Sequence, residues 1–172
     1  MEGLLTPCTP NLAACLALAG FAGVRMEEIL RMTWEDVYRR KGFVEIEAQK
    51  AKTARRRLVP IAPNLADWLI NAGKMKGRLW PWSKAYFFEA IPNAARIAGI
   101  EWKRNALRHS FISYRLAQTQ NRHLVSEEAG NSSRMIDSHY RELVTPNQAA
   151  TWFAIRPAGT SDKVISIRGN AA

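Results

Sequence analysis

Cysteine, long apolar runs and acidic residues are all scarce in this chain. Its two cysteines, Cys8 and Cys15, form no C-x-x-C pattern, which argues against a zinc finger. A disulfide between them stays open, but reduced thiols are the simpler interpretation. The most apolar run, residues 12–24, is shorter than the about 20 residues that a bilayer span needs, and no basic stretch precedes it. We therefore predict a cytoplasmic protein with no membrane segment and no metal site.

Nucleotide-binding and metalloprotease signatures are missing as well. The chain contains no P-loop, no G-x-G-x-x-G and no H-E-x-x-H, so no cofactor is expected. What it has in excess is positive charge, with 25 Lys and Arg against 15 Asp and Glu, a net charge of +10 and a pI near 10.1. This excess favours an acidic partner, most often nucleic acid. A solvated basic surface or a ribosome-associated protein is the alternative.

Helix signals dominate the chain, which at 172 residues has the length of one domain. Cap residues, proline and glycine predict helices from Thr9-Pro10 onward, over 26–32, 63–71, from Ser83, over 104–118 and 122–129, and after Ser132 and Thr145-Pro146. Residues 43–47 and 57–61 suit two short strands joined by a basic turn. The prediction is a predominantly helical α+β fold with a small antiparallel β-sheet.

Three separated segments carry the residues best suited to chemistry on an anion. The first reads Gly23-Val24-Arg25 followed by Glu28, the second reads Asn105-Ala-Leu-Arg108-His109, and the third reads Ala-Gly-Asn131 followed by His139-Tyr140. Each has a plain structural alternative. Arg25 paired with Glu28 can be purely structural, the basic turn can be a solvated loop, and Tyr140 can be a packed residue of an amphipathic helix.

In this order, the segments resemble the catalytic domain of tyrosine recombinases, the phage-integrase family, over about residues 12–153. The resemblance implies the fold of these DNA breaking-rejoining enzymes and site-specific recombination or integration through a covalent 3′-phosphotyrosine. It makes Arg25 and Arg108 phosphate ligands, Glu28 the support of Arg25, and Tyr140 the nucleophile. The Lys-Thr before Arg-Arg-Arg-Leu-Val-Pro resembles the hairpin of the catalytic lysine, which is then Lys52, with Lys50 as the alternative.

Each implied role has a physical reason. A phosphodiester under attack gains negative charge, which preorganised guanidinium groups stabilise through a planar fork of donors. A tyrosine hydroxyl must lose its proton as it attacks, and the leaving 5′-hydroxyl needs a proton from a general acid. A lysine crowded by arginines, with its pKa lowered toward neutrality, suits that second task.

The chain departs from the family at two positions. Asn105 stands where histidine is usual, and Asn131 where histidine or tryptophan is usual. Asparagine donates a hydrogen bond but does not take up a proton to become a stable cation, so we expect hydrogen-bonding roles and reduced activity. His109 and His139 lie next to these motifs and are expected only to support them, because adjacent helical residues point about 100° apart.

The resemblance also implies an organisation and partners. Residues 1–156 are expected to form the catalytic domain, with 1–9 a linker from an absent core-binding domain and 157–172 a flexible tail. The partner is double-stranded DNA, contacted by Lys50, Arg55, Arg56 and Arg57, with a homotetramer assembled on it. Trp152 and Phe153 are expected to dock the last helix in cis or in trans. A bacterial or phage-encoded mobile element acting on the nucleoid fits this picture.

Three alternatives stay open. The chain can be a DNA-binding relic that has lost cleavage, an enzyme like the type IB topoisomerases, or a generic basic RNA-binding protein. The motifs do not give the target sequence, the direction of the reaction or the oligomeric state.

Overall fold

A computed structural model describes residues 1–49, 56–73, 76–139 and 144–159, with only the backbone described for 137–139. Its elements, in chain order, are α1 Glu2–Leu5, α2 Pro10–Phe21, α3 Met26–Ile29, α4 Trp34–Tyr38, β1 Phe43–Ile46, β2 Arg57–Pro60, α5 Pro63–Asn71, α6 Lys84–Ile97, α7 Ala106–Thr119, α8 Arg122–Ala129, α9 Ser133–His139 and α10 Pro146–Phe153. The predicted α+β fold, predominantly helical with a small antiparallel sheet, is confirmed.

The centre of the core is α2. Thr9 precedes it in an extended conformation and Pro10 occupies its first turn, where a missing N–H costs no hydrogen bond. From Leu12 to Phe21 every residue is buried, which is the pattern of a helix that is apolar on all sides. It packs against α5 and α7 and also touches α1 and α3. Four other helices, α1, α3, α5 and α7, are therefore arranged around α2.

The sheet consists of β1 and β2, paired antiparallel with Val44 opposite Val59 and Phe43 opposite Pro60. Pro60 is tolerated because each strand of a two-stranded sheet is an edge strand. Val44, Ile46 and Val59 are buried and attach the sheet to the core. The predicted strands are confirmed, each one residue shorter than expected. The hairpin tip, residues 50–55, lies outside the described residues.

The N-terminal segment, where a linker is expected over residues 1–9, contains a short helix. Residues Glu2–Leu5 form the short helix α1, whose Leu4 and Leu5 are 3% and 1% exposed in the main core. This segment therefore packs on the core, and its expected role as a linker to a further domain stays a prediction. At the other end, Pro157 is buried, and the predicted tail from residue 160 onward lies outside the described residues.

Both cysteines are free thiols. Burial raises the pKa of Cys8 to about 11, and the pKa of the fully buried Cys15 is raised further by the same cause. Because the thiolate is the reactive form, both side chains are inert at neutral pH. They act as small apolar core residues at the start of the chain.

Candidate anion-binding site

Arg25 is placed by the turn between α2 and α3. It precedes the first residue of α3 with an extended backbone, and its main-chain N–H donates to Oε2 of Glu28 at 3.0 Å. Its Nη1 donates to Oε1 of the same carboxylate at 3.1 Å. The Gly-Val-Arg-x-x-Glu spacing therefore places Glu28 at the third position of the helix, where its carboxylate accepts from both the main chain and the side chain of Arg25.

Gly23 allows α7 to approach this turn closely. Its φ is +62°, and a Cβ there would lie 2.8 Å from Cε1 of Phe111 and still closer to Cδ1. One turn earlier on α7, Nη1 of the buried Arg108 donates to the main-chain oxygen of Gly23. A side chain at position 23 would push Phe111 away and move Arg108 with it. The glycine of the first motif thus positions the arginine of the second.

Asn131 is fixed by the way in which α8 ends. Gly130 has φ +61°, its N–H donates to Glu127 O at 3.2 Å, and the N–H of Asn131 donates to Ser126 O at 3.0 Å. This is the Schellman motif, which glycine in the left-handed conformation favours. The carbonyl oxygens of the terminus accept from the two arginines: Ala129 O from Arg108 Nη2, and Gly130 O from Arg25 Nη2 at 2.8 Å.

The three motifs converge on one atom, Oδ1 of Asn131. It accepts from Nη2 of Arg25 at 3.0 Å and from Nη2 of Arg108 at 2.6 Å. The amide oxygen must be the atom that faces the guanidinium groups, because an amide nitrogen cannot accept a hydrogen bond. An uncharged oxygen therefore sits where two cations point. A phosphate oxygen has the same acceptor geometry and adds negative charge.

Arg57 joins the cluster from β2. Its Nη1 donates to Oε1 of Glu28 at 3.1 Å, and its Nη2 donates to Oε2 at 2.5 Å. Its Nε donates to the main-chain oxygen of Glu128 at 3.1 Å. Arg57 is 7% exposed and Glu28 is fully buried. The alternative that Arg57 belongs to a solvated basic loop is wrong, because its guanidinium faces the interior and is held by a carboxylate. The expected contact of Arg57 with DNA stays a prediction.

An open cleft of about 540 Å³ adjoins the cluster. The lining residues come from the start of β2, from the last turns of α8 and from the turn between α8 and α9: Arg56, Arg57, Ser126, Glu127, Gly130, Asn131 and Ser132. Arg25 and Arg108 reach this cleft through Asn131. Arg56 has a half-exposed side chain whose Nε donates to Oε1 of Glu45 at 2.5 Å, so it remains a basic residue at the rim.

One further ion pair between two helices stabilises the cluster. Arg115 on α7 makes a two-pronged contact with Glu128 on α8, at 2.9 Å from Nε and 2.8 Å from Nη2. Because Glu128 is 2% exposed, this ion pair holds α7 against α8 with little screening by solvent. The contact keeps the helix of Arg108 in register with the helix end that carries Asn131.

The remaining predicted residues are placed as follows. Asn105 precedes α7 with φ +62°, in the left-handed region that asparagine tolerates well; its side chain is exposed and makes no capping bond. His109 is exposed on the first turn of α7. Lys50, Lys52, Arg55 and Tyr140 lie outside the described residues, and only the backbone of His139 is described. Their convergence on the cluster stays a prediction.

Sequence reasoning missed the inward role of Arg57 and the pair Arg115–Glu128. A signal for the first was present, because side chains alternate along a strand and Arg57 shares a face with Val59, which is 1% exposed. No comparable signal marks Arg115, since Glu128 comes within reach only when α7 and α8 pack together.

The last helix docks within the same chain. Nε1 of Trp152 donates to the main-chain oxygen of Gly20 at 3.1 Å, and its ring stacks on Tyr114 with centroids 4.5 Å apart. Beyond α10, Ile155 O accepts from Nε1 of Trp68 at 3.2 Å. Of the two arrangements considered for Trp152, the structure contains the one in cis.

Among the helices of the described residues, none has the length and apolar character that crossing a bilayer requires. In the same part of the chain, no three His, Cys, Asp or Glu side chains are grouped so that they could hold a metal ion. No protein-family model matches the chain, and neither does any curated protein.

Proposed function

We propose that this protein cleaves and rejoins double-stranded DNA as a tyrosine recombinase, with the cluster around Asn131 as its phosphate site. The observation that carries the proposal is the meeting of Arg25 and Arg108 on a single acceptor oxygen, at 3.0 and 2.6 Å. Two guanidinium groups from distant parts of the chain are thus held around one position, and an anionic oxygen there would form stronger hydrogen bonds with them than the neutral amide oxygen does. A net charge of +10 supplies the long-range attraction for DNA.

In the proposed reaction, Tyr140 attacks the phosphodiester that Arg25 and Arg108 hold. The phenolic oxygen gives its proton to water and forms a bond to phosphorus, the bond from phosphorus to the 5′-oxygen breaks, and a 3′-phosphotyrosine results. Lys52, or Lys50, gives a proton to the leaving oxygen. Attack by a 5′-hydroxyl then reverses these steps and rejoins the strand. Since the phosphotyrosine keeps the bond energy, no cofactor is needed.

The test is to trap the covalent intermediate. Duplexes of randomised sequence with a nick near the scissile position let the short cleaved strand diffuse away, so that rejoining is blocked. We expect a protein–DNA adduct that resists denaturation in SDS, forms in EDTA and disappears in Tyr140→Phe. Tyr86→Phe is the matched control, because Tyr86 is a half-exposed tyrosine on α6 and belongs to no motif. Sequencing the trapped DNA would give the preferred site.

A catalytically impaired DNA-binding protein is the second candidate. It is favoured by the asparagines at positions 105 and 131, of which Asn131 already satisfies both arginines from within the protein. DNA binding without any adduct at high protein concentration would support this candidate and contradict the first. An adduct accompanied by relaxation of supercoiled plasmid by the monomer would instead indicate a topoisomerase-like enzyme.

A further inference from the structure

Arg57 and Glu28 form a buried pair that also determines the charge state around Arg25. Oε1 of Glu28 accepts from Nη1 of Arg57 and from Nη1 of Arg25, both at 3.1 Å. Oε2 accepts from Nη2 of Arg57 at 2.5 Å and from the main-chain N–H of Arg25 at 3.0 Å. Arg57 thus donates to the carboxylate from two guanidinium nitrogens, whereas Arg25 donates from one.

The charges of these three residues do not cancel. One carboxylate neutralises one guanidinium, so two guanidinium groups around Glu28 leave one positive charge in excess. The side chain of Arg57 is 6% exposed and that of Arg25 is 19% exposed. Solvent and ligands therefore reach Arg25 more readily, and its Nη2 also points to Asn131 at the cleft. The excess charge is carried where a phosphate would bind.

We propose that Arg57 is a positioning residue: it takes up the charge of Glu28 and so leaves the charge of Arg25 for a DNA phosphate. The inference rests on the proposed use of Arg25 as a phosphate ligand. It assigns no direct DNA contact to Arg57. Without Arg57, which contacts both carboxylate oxygens, Glu28 would interact more strongly with Arg25, because a buried charge that loses a close counter-ion is poorly compensated. Glu28 would then compete with the phosphate for Arg25.

A charge-balance experiment tests this inference. The affinity for a short fluorescein-labelled duplex is measured by anisotropy over a range of salt concentrations, for the wild type, Arg57→Met, Glu28→Gln, the double variant and Arg25→Met. We expect Arg57→Met to bind about tenfold more weakly and to lose about one unit of salt slope. Glu28→Gln/Arg57→Met should bind within about threefold of the wild type, since removing the carboxylate frees Arg25 again.

The control is an ion pair elsewhere. Arg156 Nη1 and Asp67 Oδ2 lie 2.9 Å apart, in an ion pair without hydrogen-bond alignment. Arg156→Met changes the net charge as Arg57→Met does, and Asp67→Asn/Arg156→Met changes it as Glu28→Gln/Arg57→Met does. These control variants therefore measure the effect of net charge alone on DNA affinity. Circular dichroism reports folding. If Arg57→Met alone fails to fold, the double variant still tests the inference, because it buries no carboxylate at position 28 and its DNA affinity can be compared directly with that of the wild type.

Three outcomes overturn the inference. Binding of Arg57→Met with the affinity of the wild type would make Arg57 purely structural. A double variant as weak as Arg57→Met would mean that Arg57 itself contacts DNA. If Asp67→Asn/Arg156→Met recovers as much DNA affinity over Arg156→Met as Glu28→Gln/Arg57→Met recovers over Arg57→Met, the effect is due to net charge alone. If Arg25→Met binds DNA like the wild type, the proposed function is contradicted as well. If Arg25→Met binds weakly but Arg57→Met does not, the proposed function is supported and the proposed role of Arg57 is contradicted.

Discussion

At position 131, one carboxamide oxygen accepts hydrogen bonds from two guanidinium groups, and this atom controls what else they can bind. A neutral acceptor stabilises the arginines without neutralising them. A carboxylate in the same place would cancel one of their two positive charges, and it would bind both arginines more strongly than a neutral oxygen does, because acceptor and donors would then all be charged. Stability and anion binding should therefore respond in opposite directions to one isosteric change.

We expect Asn131→Asp to raise the free energy of unfolding by about 1–2 kcal/mol at neutral pH and to weaken DNA binding about tenfold. The arginines depress the pKa of the new carboxyl in the folded state. Its added stability is therefore present above the unfolded pKa of about 3.9 and is lost as the pH falls through the lower folded pKa. Urea unfolding at several pH values and DNA anisotropy measure the two effects.

Asn121→Asp is the matched control for this change. Asn121 caps α8, where its Oδ1 accepts from the N–H of Leu124 at 3.0 Å, and aspartate caps a helix about as well as asparagine. The net charge changes equally, but no arginine of the cluster is involved. Weakened DNA binding in both variants to the same extent would contradict a specific role for position 131.

At the scale of elements, the close approach of α7 to the turn before α3 depends on Gly23. Gly23→Ala combines the strain of a left-handed backbone with a Cβ inside the Phe111 ring. We expect a loss of about 2–4 kcal/mol in the free energy of unfolding, since overpacking costs about 1–3 kcal/mol and a positive φ about 1–2 kcal/mol. DNA binding by the folded fraction should also weaken, because Arg108 donates to Gly23 O. Chemical denaturation and anisotropy are the measurements.

Gly99→Ala separates the two contributions. Gly99 has φ +67°, close to the +62° of Gly23, but a Cβ there meets nothing within 4 Å. It should cost only the backbone strain, about 1–2 kcal/mol, and leave DNA binding unchanged. Equal losses in the two variants would show that packing on Phe111 is not what requires glycine at position 23.

Element boundaries were predictable where a residue type has one physical use. Proline in the first turn and glycine beyond the last predicted the bounds of α5 and α8, which the structure reproduces as Pro63–Asn71 and Arg122–Ala129. The short helices α1 and α4 were missed. A helix of four or five residues has almost no stability of its own, so its existence depends on tertiary burial such as that of Leu5 and Trp34.

The candidate site was predictable as a set of motifs but not as an arrangement. Arg25 and Glu28 are three residues apart, so their contact follows from local helix geometry. The contacts of Arg57 with Glu28 and of Asn131 with both arginines join distant parts of the chain. A run of three arginines looks like a solvated turn until the fold brings a buried carboxylate to one of them.

At the scale of the whole molecule, α10 packs on the core next to α2, which lies far from it in sequence. Trp152 lies between α2 and α7, with its ring centroid 5.7 Å from that of Phe21 and 4.5 Å from that of Tyr114. Its indole N–H donates to Gly20 O, and no side chain at position 20 hinders the approach. One aromatic residue of α10 thus contacts both α2 and α7.

We expect Trp152→Ala to lower the free energy of unfolding by about 2–4 kcal/mol, somewhat less than for a fully buried tryptophan, because the side chain is half-buried. Trp82→Ala is the control: Trp82 is 48% exposed and contacts Trp80 and Tyr86 without bridging distant helices, so it should cost about 1 kcal/mol. Because Trp152 docks in cis, the wild-type melting temperature should not change with protein concentration. A melting temperature that rises with concentration in the wild type but not in Trp152→Ala would instead mean that this helix docks onto a second copy of the chain.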